Sequence, residues 1–330
     1  MSSRFQHLEA LFWLGRPASM FGKTPPVLAG YLVGSPDWRP LNLVLVTVFA
    51  VCMQLIVSSL NDVYDAPRDS LTAPYLPIPS GLLTRQQATV APLAAGMVLV
   101  LTLVTLGEDA NTFILIGITA CLGVGIGGIY GETKSSPWSP LLASTGSVGA
   151  VLWGWILSER VEEDLLFLVL VAMVLHGVFM NLINQLRDIE KDPEAGNYTV
   201  GARRGWRATL ALASSARLLE CVSLVFLAAS LHAPARGGAV IFPLVALAYG
   251  VHIAVSLDPS YRPGRLGSES TLGPFRLSTL LAEIALLFVI SPGVAVAVGI
   301  PMWSWYHLLR PIYDLRIVQG GLLRTVVNRA

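Results

Sequence analysis

Nine stretches of this chain run for about twenty residues with few charges, near 18–35, 42–61, 88–107, 112–130, 141–158, 165–186, 207–230, 237–256 and 279–300. Crossing about 30 Å of hydrocarbon takes roughly 20 helical residues. One water-soluble core cannot hide so many such runs. In lipid, moreover, every backbone N–H and C=O must find its partner inside the protein, which a helix does within itself. The expected fold is therefore all-α and integral to a membrane, with about nine transmembrane helices.

Composition agrees. Charged residues make up 13% of the chain, against about a quarter in soluble domains. Apolar residues make up 54%, and mean hydropathy is +0.63. In a membrane chain the net charge of +1 says nothing about nucleic acid, and no Lys/Arg-rich block suggests it, so no nucleic-acid partner is expected. Cys52, Cys121 and Cys221 all fall in apolar runs. Odd in number and without pairing spacing, they suggest neither a disulfide framework nor a zinc site and read as packing residues. Met1–Ala10 carries Arg4 and Glu9 without a leader-like apolar core, so no removable signal peptide is expected. Gly123, Gly125, Gly127 and Gly128 in the fourth run read as small residues that admit a neighbouring helix. They lack the strand-then-helix setting of a dinucleotide loop.

Orientation follows from the Lys and Arg, which concentrate in cytoplasmic loops. With the N-terminus inside, one side collects Arg4, Arg16, Lys23, Arg68, Arg85, Lys134, Arg187, Lys191, Arg203, Arg204, Arg207, Arg262, Arg265 and Arg276. The other side receives Arg39, Arg160 and Arg236 from its loops, among mostly acidic residues. Arg310, Arg316, Arg324 and Arg329 disagree with nine spans, so the tail either lies on the membrane or returns through a further span near 301–322. The longest loops, 62–87, 187–206 and 257–278, all fall on the cytoplasmic side. No linker interrupts the chain. It reads as one domain over 1–330, with two pseudo-repeated halves at roughly 1–140 and 141–300 and a tail at 301–330.

Two of those long loops begin with carboxylates. In a helix Asp62, Asp65 and Asp69 recur at i, i+3 and i+7 and project from one face. Like charges that close repel and need a cation. Hard oxygen ligands on a short arc suit Mg²⁺, commonly held by one or two carboxylates together with substrate phosphate oxygens and water. Asn181, Asn184, Asp188 and Asp192 repeat the idea at i, i+3, i+7 and i+11 on what would again be one helical face. Two such faces opposed across a membrane cavity can hold a diphosphate between metal ions.

Asn61-Asp62-Val63-Tyr64-Asp65-Ala66-Pro67-Arg68-Asp69, followed by Pro77-Ile78-Pro79-Ser80-Gly81, resembles the first signature of the UbiA superfamily of intramembrane prenyltransferases. Asn184-Gln185-Leu186-Arg187-Asp188-Ile189-Glu190-Lys191-Asp192, continuing Pro193-Glu194-Ala195-Gly196, is similar to the second. Trp13 to Pro26, with Arg16-Pro17, resembles the family's opening. The resemblance implies a helical bundle around a central cavity. It implies that Asp62, Asp65, Asp69, Asp188 and Asp192 bind Mg²⁺ bridging the diphosphate of an isoprenoid donor, with Asn61 and Asn184 assisting. Ionisation would leave an allylic cation for an acceptor to attack. Metal ions offset charge on the leaving diphosphate, and a dry pocket shields the cation from water.

Tyr64, Tyr130, Trp153 and Trp155 offer aromatic faces to such a cation, or belong to the interfacial belt. Lys134, four residues after Tyr130, resembles a lysine of the family, and Arg68 and Arg187 sit inside the motifs. These cations suit diphosphate oxygens; for the two arginines, positive-inside anchoring is the alternative. Two family cations are missing: Leu76 stands where Arg usually precedes the Pro-x-x-Ser-Gly element, and Asn197-Tyr198 stands where Lys or Arg usually precedes Thr199. Inside spans, Glu283 and His176 read as hydrogen-bonded bundle or cavity residues, and Arg217 and Glu220 as a pair.

The leading expectation is a Mg²⁺-dependent prenyltransferase, its partners an isoprenyl diphosphate donor, a lipophilic or aromatic acceptor and membrane lipid. A terpene cyclase of the same superfamily, which needs no acceptor, is the alternative. A carboxylate-lined cation transporter is a third reading. Its sites would be expected near the midplane, whereas both carboxylate faces close spans at the cytoplasmic end.

Overall fold

The structure, a computed structural model, describes residues 3–14, 22–35, 37–72, 74–158, 163–194, 196–231, 245–252 and 273–313. Every regular element among them is helical. Five are long and apolar enough to cross a membrane: Pro40–Pro67, Arg85–Leu106, Ala110–Glu132, Glu163–Arg187 and Val200–Ser230. Leu277–Ile290 is a shorter apolar helix. The protein is thus an all-α integral membrane protein. Of the first expected run, the described helix starts only at Thr24, and Arg16-Pro17 lies outside the described residues. The run near 237–256 is described only over 245–252.

The described chain divides into two compact units. The first comprises residues 1–24, 40–108 and 300–330. It holds α1 (Ser3–Leu14), α3 (Pro40–Thr72), α4 (Arg85–Ala88), α5 (Val90–Leu106) and the last helix, Ile300–Tyr313. α3 packs along α5. At about 1.5 Å per residue α3 is roughly 50 Å long, longer than the hydrocarbon it crosses, so its last turns project beyond the membrane core. Ala10, Trp13, Leu14, Leu83 and Ala88 form a small core against which Val63, Tyr75, Leu76 and Ile78 pack. The loop after α3 is tied down by Ser80 N–H to Leu76 O at 2.9 Å and Leu83 N–H to Pro77 O at 3.0 Å. Thr84 and Gln87 then form a reciprocal capping box that starts α4.

The second unit, residues 25–39 and 109–299, holds α2 (Thr24–Gly34), α6 (Ala110–Glu132), α7 (Ser139–Ile156), α8 (Glu163–Arg187), α9 (Lys191–Glu194), α10 (Val200–Ser230), α11 (residues 245–252) and α12 (Gly273–Ile290). α8 is central, packed against α7, α10 and α12. Its apolar face meets α10 and α12 in a core of Phe179, Leu182, Ile183, Leu186, Val200, Ala213, Ala216 and Phe275. α12 ends at Ser291-Pro292, and a π-helical turn, Ala295–Gly299, follows.

Close helix approach falls on other glycines than the fourth run suggests. A Cβ on Gly154 would overlap Val27 O of α2, one on Gly30 would overlap Val151 O of α7, and one on Gly177 would lie 2.5 Å from Ser144 Cα. By contrast, a Cβ on Gly123, Gly125 or Gly128 would meet nothing within 4 Å. These three belong to an exposed face of α6, where Ile114, Gly117, Ile118, Cys121, Leu122, Gly125, Ile126 and Ile129 line an apolar groove of about 620 Å³. The stretch is helix, as expected, but its small residues open a groove and admit no described neighbour.

Candidate functional site

The first carboxylate cluster stays helical to its end. α3 runs unbroken through Thr72, so Asp62, Asp65 and Asp69 share one face. Pro67 lies within that stretch; it removes one backbone donor from the helix. Asp62 is 4% exposed, whereas Asp65 and Asp69 are half-buried. Asn61 Nδ2 donates to Asp65 Oδ2 at 3.1 Å, which fixes one carboxylate oxygen. The side chain of Arg68 lies outside the described residues. Tyr64 is 71% exposed.

The second cluster, in the other unit, departs from the expected single face. α8 stops at Arg187, and Asp192 sits on the separate short helix α9. The backbone still carries the turn across the break: Asp188 N–H donates to Asn184 O at 3.2 Å, and Asp192 N–H to Asp188 O at 2.8 Å. The two aspartates thus remain one turn apart. Gly196, at φ +75°, reverses the chain after α9, a conformation glycine adopts without strain. Asp192 is 9% exposed and accepts from Thr199 Oγ1 at 2.9 Å. Thr199 is also the N-cap of α10, accepting from Ala202 N–H at 3.3 Å. One hydroxyl therefore donates to the motif carboxylate and accepts from the next helix.

Arg187 is already engaged. Its Nε and Nη2 donate to Asp188 Oδ1 and Oδ2 at 2.8 and 2.6 Å, a two-point pair with both groups partly exposed. The pair holds the Asp188 carboxylate flat against a cation, and each oxygen keeps lone-pair capacity for a further partner.

Around this motif the ends of four helices meet: the C-termini of α6 and α8 and the N-termini of α7 and α10. Asn181 Nδ2 donates to Tyr130 Oη at 2.8 Å, and Gln185 Nε2 donates to Asn181 Oδ1 at 2.7 Å and reaches Ser139 Oγ at 3.3 Å. Gly201 N–H donates to Gln185 Oε1 at 3.0 Å. Tyr198 N–H donates to Ser135 Oγ at 2.9 Å, joining the loop after the motif to the loop that carries Lys134. Lys134 Nζ lies 5.7 Å from the Tyr130 ring centroid. Tyr130, Lys134, Asn184, Arg187, Asp188 and Asp192 are thereby collected at one end of this unit. Gln185, Ser139, Thr199 and Gly201 were not singled out by spacing, although an amide one turn from Asn181 in an apolar helix signals a buried partner.

Trp153 is buried in the same unit and donates to Thr119 Oγ1 at 3.0 Å, a packing role. Of the missing family cations, Leu76 is packed against the Trp13 core of the first unit, and Tyr198 is 54% exposed. Deeper in the bundle, Arg217 Nη1 donates to Glu220 Oε2 at 2.6 Å, as their spacing suggests. His176 stands between two carboxylates, with Nδ1 3.0 Å from Glu220 Oε1 and Nε2 3.3 Å from Glu283 Oε1.

Among the described residues no three His, Cys, Asp or Glu side chains converge on a ready-made metal site. The available donors are carboxylate and amide oxygens on short arcs, a hard set that fits Mg²⁺ when phosphate oxygens and water complete the shell.

Comparison with known proteins covers most of the chain. The model of the UbiA prenyltransferase family matches residues 24–265. Among solved structures, a UbiA homologue from Aeropyrum pernix K1 in its apo form aligns at TM-score 0.62 and 17% identity, covering 86% of this chain and 98% of that one. A digeranylgeranylglyceryl phosphate synthase aligns at TM-score 0.58 and 16% identity, covering 86% and 97%. A UbiA homologue from Archaeoglobus fulgidus bound to GPP and Mg²⁺ aligns at TM-score 0.55 and 16% identity, covering 86% and 99%. No curated protein matches in sequence. At these identities the structural likeness speaks for the fold, and the family match over most of the chain speaks for descent: the protein belongs to the UbiA prenyltransferase family.

Proposed function

We propose that the protein is a Mg²⁺-dependent intramembrane enzyme that ionises an isoprenyl diphosphate and transfers the prenyl group to a lipophilic or aromatic acceptor. The observation that carries this reading is the gathering of Tyr130, Lys134, Arg187, Asp188 and Asp192 where four helices of one unit end. A family homologue that holds GPP and Mg²⁺ supports it.

In this reading Asp62, Asp65 and Asp69 of the first motif, and Asp188 and Asp192 of the second, are the residues that would hold Mg²⁺ for the diphosphate. Asn61 orients Asp65 through its 3.1 Å bond. Thr199 orients Asp192. Bound magnesium would offset the negative charge that grows on the leaving diphosphate. Lys134, Arg68 and Arg187 bind diphosphate oxygens. For Arg187 that role requires trading part of its pair with Asp188 for phosphate. The allylic C–O bond breaks with its electron pair going to the diphosphate, the acceptor's electrons form the new bond to carbon, and the acceptor's proton is released. Apolar helix faces keep water from the cation. The active-site loops lie on the cytoplasmic side, as the Lys and Arg bias indicates.

A terpene cyclase is the second reading, favoured by Leu76, an apolar packing residue where the family usually places an arginine. The test is incubation of the purified protein with Mg²⁺ and geranyl, farnesyl or geranylgeranyl diphosphate, with and without quinone precursors or aromatic acids, followed by chromatography of the organic extract. Product that requires an acceptor and disappears with EDTA supports the transferase. A cyclic hydrocarbon or alcohol formed without acceptor would replace it by the cyclase.

A further inference from the structure

Asn197 stands in the turn that joins α9 to α10, and its backbone is held from both sides. Its own N–H donates to Asp192 O at 2.7 Å. The next N–H, that of Tyr198, donates to Ser135 Oγ at 2.9 Å, on the loop that carries Lys134. Thr199, one residue further, donates its hydroxyl to Asp192 Oδ2 at 2.9 Å and caps α10. Gly196, at φ +75°, sets the direction in which the chain enters this clamp. Position 197 is therefore fixed between a motif aspartate and the Lys134 loop, all within one unit of the fold.

The side chain does not share in this bonding. Asn197 is half-buried as a residue, yet its Nδ2 is buried and meets no acceptor among the described residues. A buried donor without an acceptor costs the full desolvation of that group, so a turn shaped by stability alone would carry an apolar side chain here. What suits Nδ2 is an oxygen with a free lone pair. Water bound to Mg²⁺ is a poor candidate, because it gives a lone pair to the metal and presents its hydrogens. A phosphate oxygen is a good one, since it carries negative charge and charge strengthens the bond it accepts. A neutral amide also costs far less to bury than an ammonium.

Resting on the proposed function, we infer that Asn197 is a substrate-binding residue whose Nδ2 donates to a non-bridging oxygen of the isoprenyl diphosphate. The contact is made to the diphosphate and not to the prenyl chain, so it serves donors of any length.

Asn197→Leu tests this because it keeps the size of the side chain and removes the donor. Stability and affinity should then part company. Without ligand, the variant should melt at or above the wild-type temperature, since no bond is lost and an unpartnered polar group is removed. With Mg²⁺, its affinity for geranyl thiolodiphosphate, which does not ionise readily, should fall about tenfold or more, the worth of a hydrogen bond to a charged group. Affinity for inorganic pyrophosphate with Mg²⁺ should fall by the same factor. Both probes are titrated into the purified full chain in nanodiscs, and Asn197→Ala decides the matter where Leu does not fold. Unchanged affinity in the folded variants, as a buried water on Nδ2 would give, overturns the inference, and so does a loss confined to the thiolodiphosphate. A melting temperature lowered by several degrees in both variants shows Nδ2 bonded within the protein and overturns it too. Wild type that binds neither probe with Mg²⁺ overturns the proposed function itself, and this inference with it.

Discussion

Arg217 is the bulkiest side chain hidden completely among the described residues. Its guanidinium lies 3.8 Å from the Phe179 ring centroid, reaches Glu220 at 2.6 Å and donates to Thr279 Oγ1 at 3.2 Å. Glu220 passes the contact to His176 and His176 to Glu283, so three helices share one chain of charges. Breaking a buried pair by removing one partner costs about 3–5 kcal/mol, while replacing both by apolar residues costs far less. Arg217→Met should therefore lower stability in a detergent denaturation series by about that much, and the double change Arg217→Met with Glu220→Leu should recover most of it. Equal losses in the single and double variants would show that the pair itself is what stabilises. The pairing of Arg217 with Glu220 was legible because three residues on a helix bring side chains together. The links to His176 and Glu283 were not, since they join residues 44 and more positions apart. Gln185 escaped in part for the same reason: Asn181 lies one turn away on its own helix, but its other partners lie on α7 and α10, where no local spacing points.

At the scale of the element, helix ends do more than helix lengths. The apolar run near 42–61 predicts a crossing, yet α3 continues to Thr72 and carries three aspartates on its last turns. Their period was readable because it is the helix's own. The second motif has the same period, but α8 ends at Arg187 and hands Asp192 to a separate turn held by the cap of α10. Thr199→Val should therefore do two things: cost about 1 kcal/mol of stability from the lost cap, and weaken Mg²⁺-dependent turnover by loosening Asp192. Thr199→Ser should retain both, which a denaturation curve and a Mg²⁺ titration would check. Glycines show a similar limit. Small-residue spacing marks a helix that can be approached, but not the face that is: α6 exposes its glycines, while Gly30 and Gly154 lock α2 to α7. Gly154→Val drives side-chain carbons into the Val27 carbonyl, and overpacking of that kind costs roughly 1–3 kcal/mol. A lowered melting temperature in detergent is the expected result, with Gly125→Val as the unaffected comparison.

For the whole molecule, membrane insertion, family and helical class were all carried by patterns that repeat along the chain, apolar run length above all. Sidedness rests on the Lys and Arg distribution and is open to direct test. With Cys52, Cys121 and Cys221 replaced by Ala, a cysteine introduced at Glu108 should react with an impermeant maleimide added outside intact cells. One introduced at Glu132 should react only after permeabilisation. The reverse pattern would invert the topology and put the Lys134 loop outside. Whether the aspartates of the two motifs bind a prenyl diphosphate through Mg²⁺ is open to test by equilibrium binding. Geranylgeranyl thiolodiphosphate would be titrated into the wild type, Asp65→Ala and Asp188→Ala, each with Mg²⁺ and with EDTA. Mg²⁺-dependent binding by the wild type is expected, weakened at least about tenfold in either variant, as loss of a charge-assisted contact implies, with the fold retained. Binding that ignores EDTA, or that survives unchanged in both variants, would contradict it.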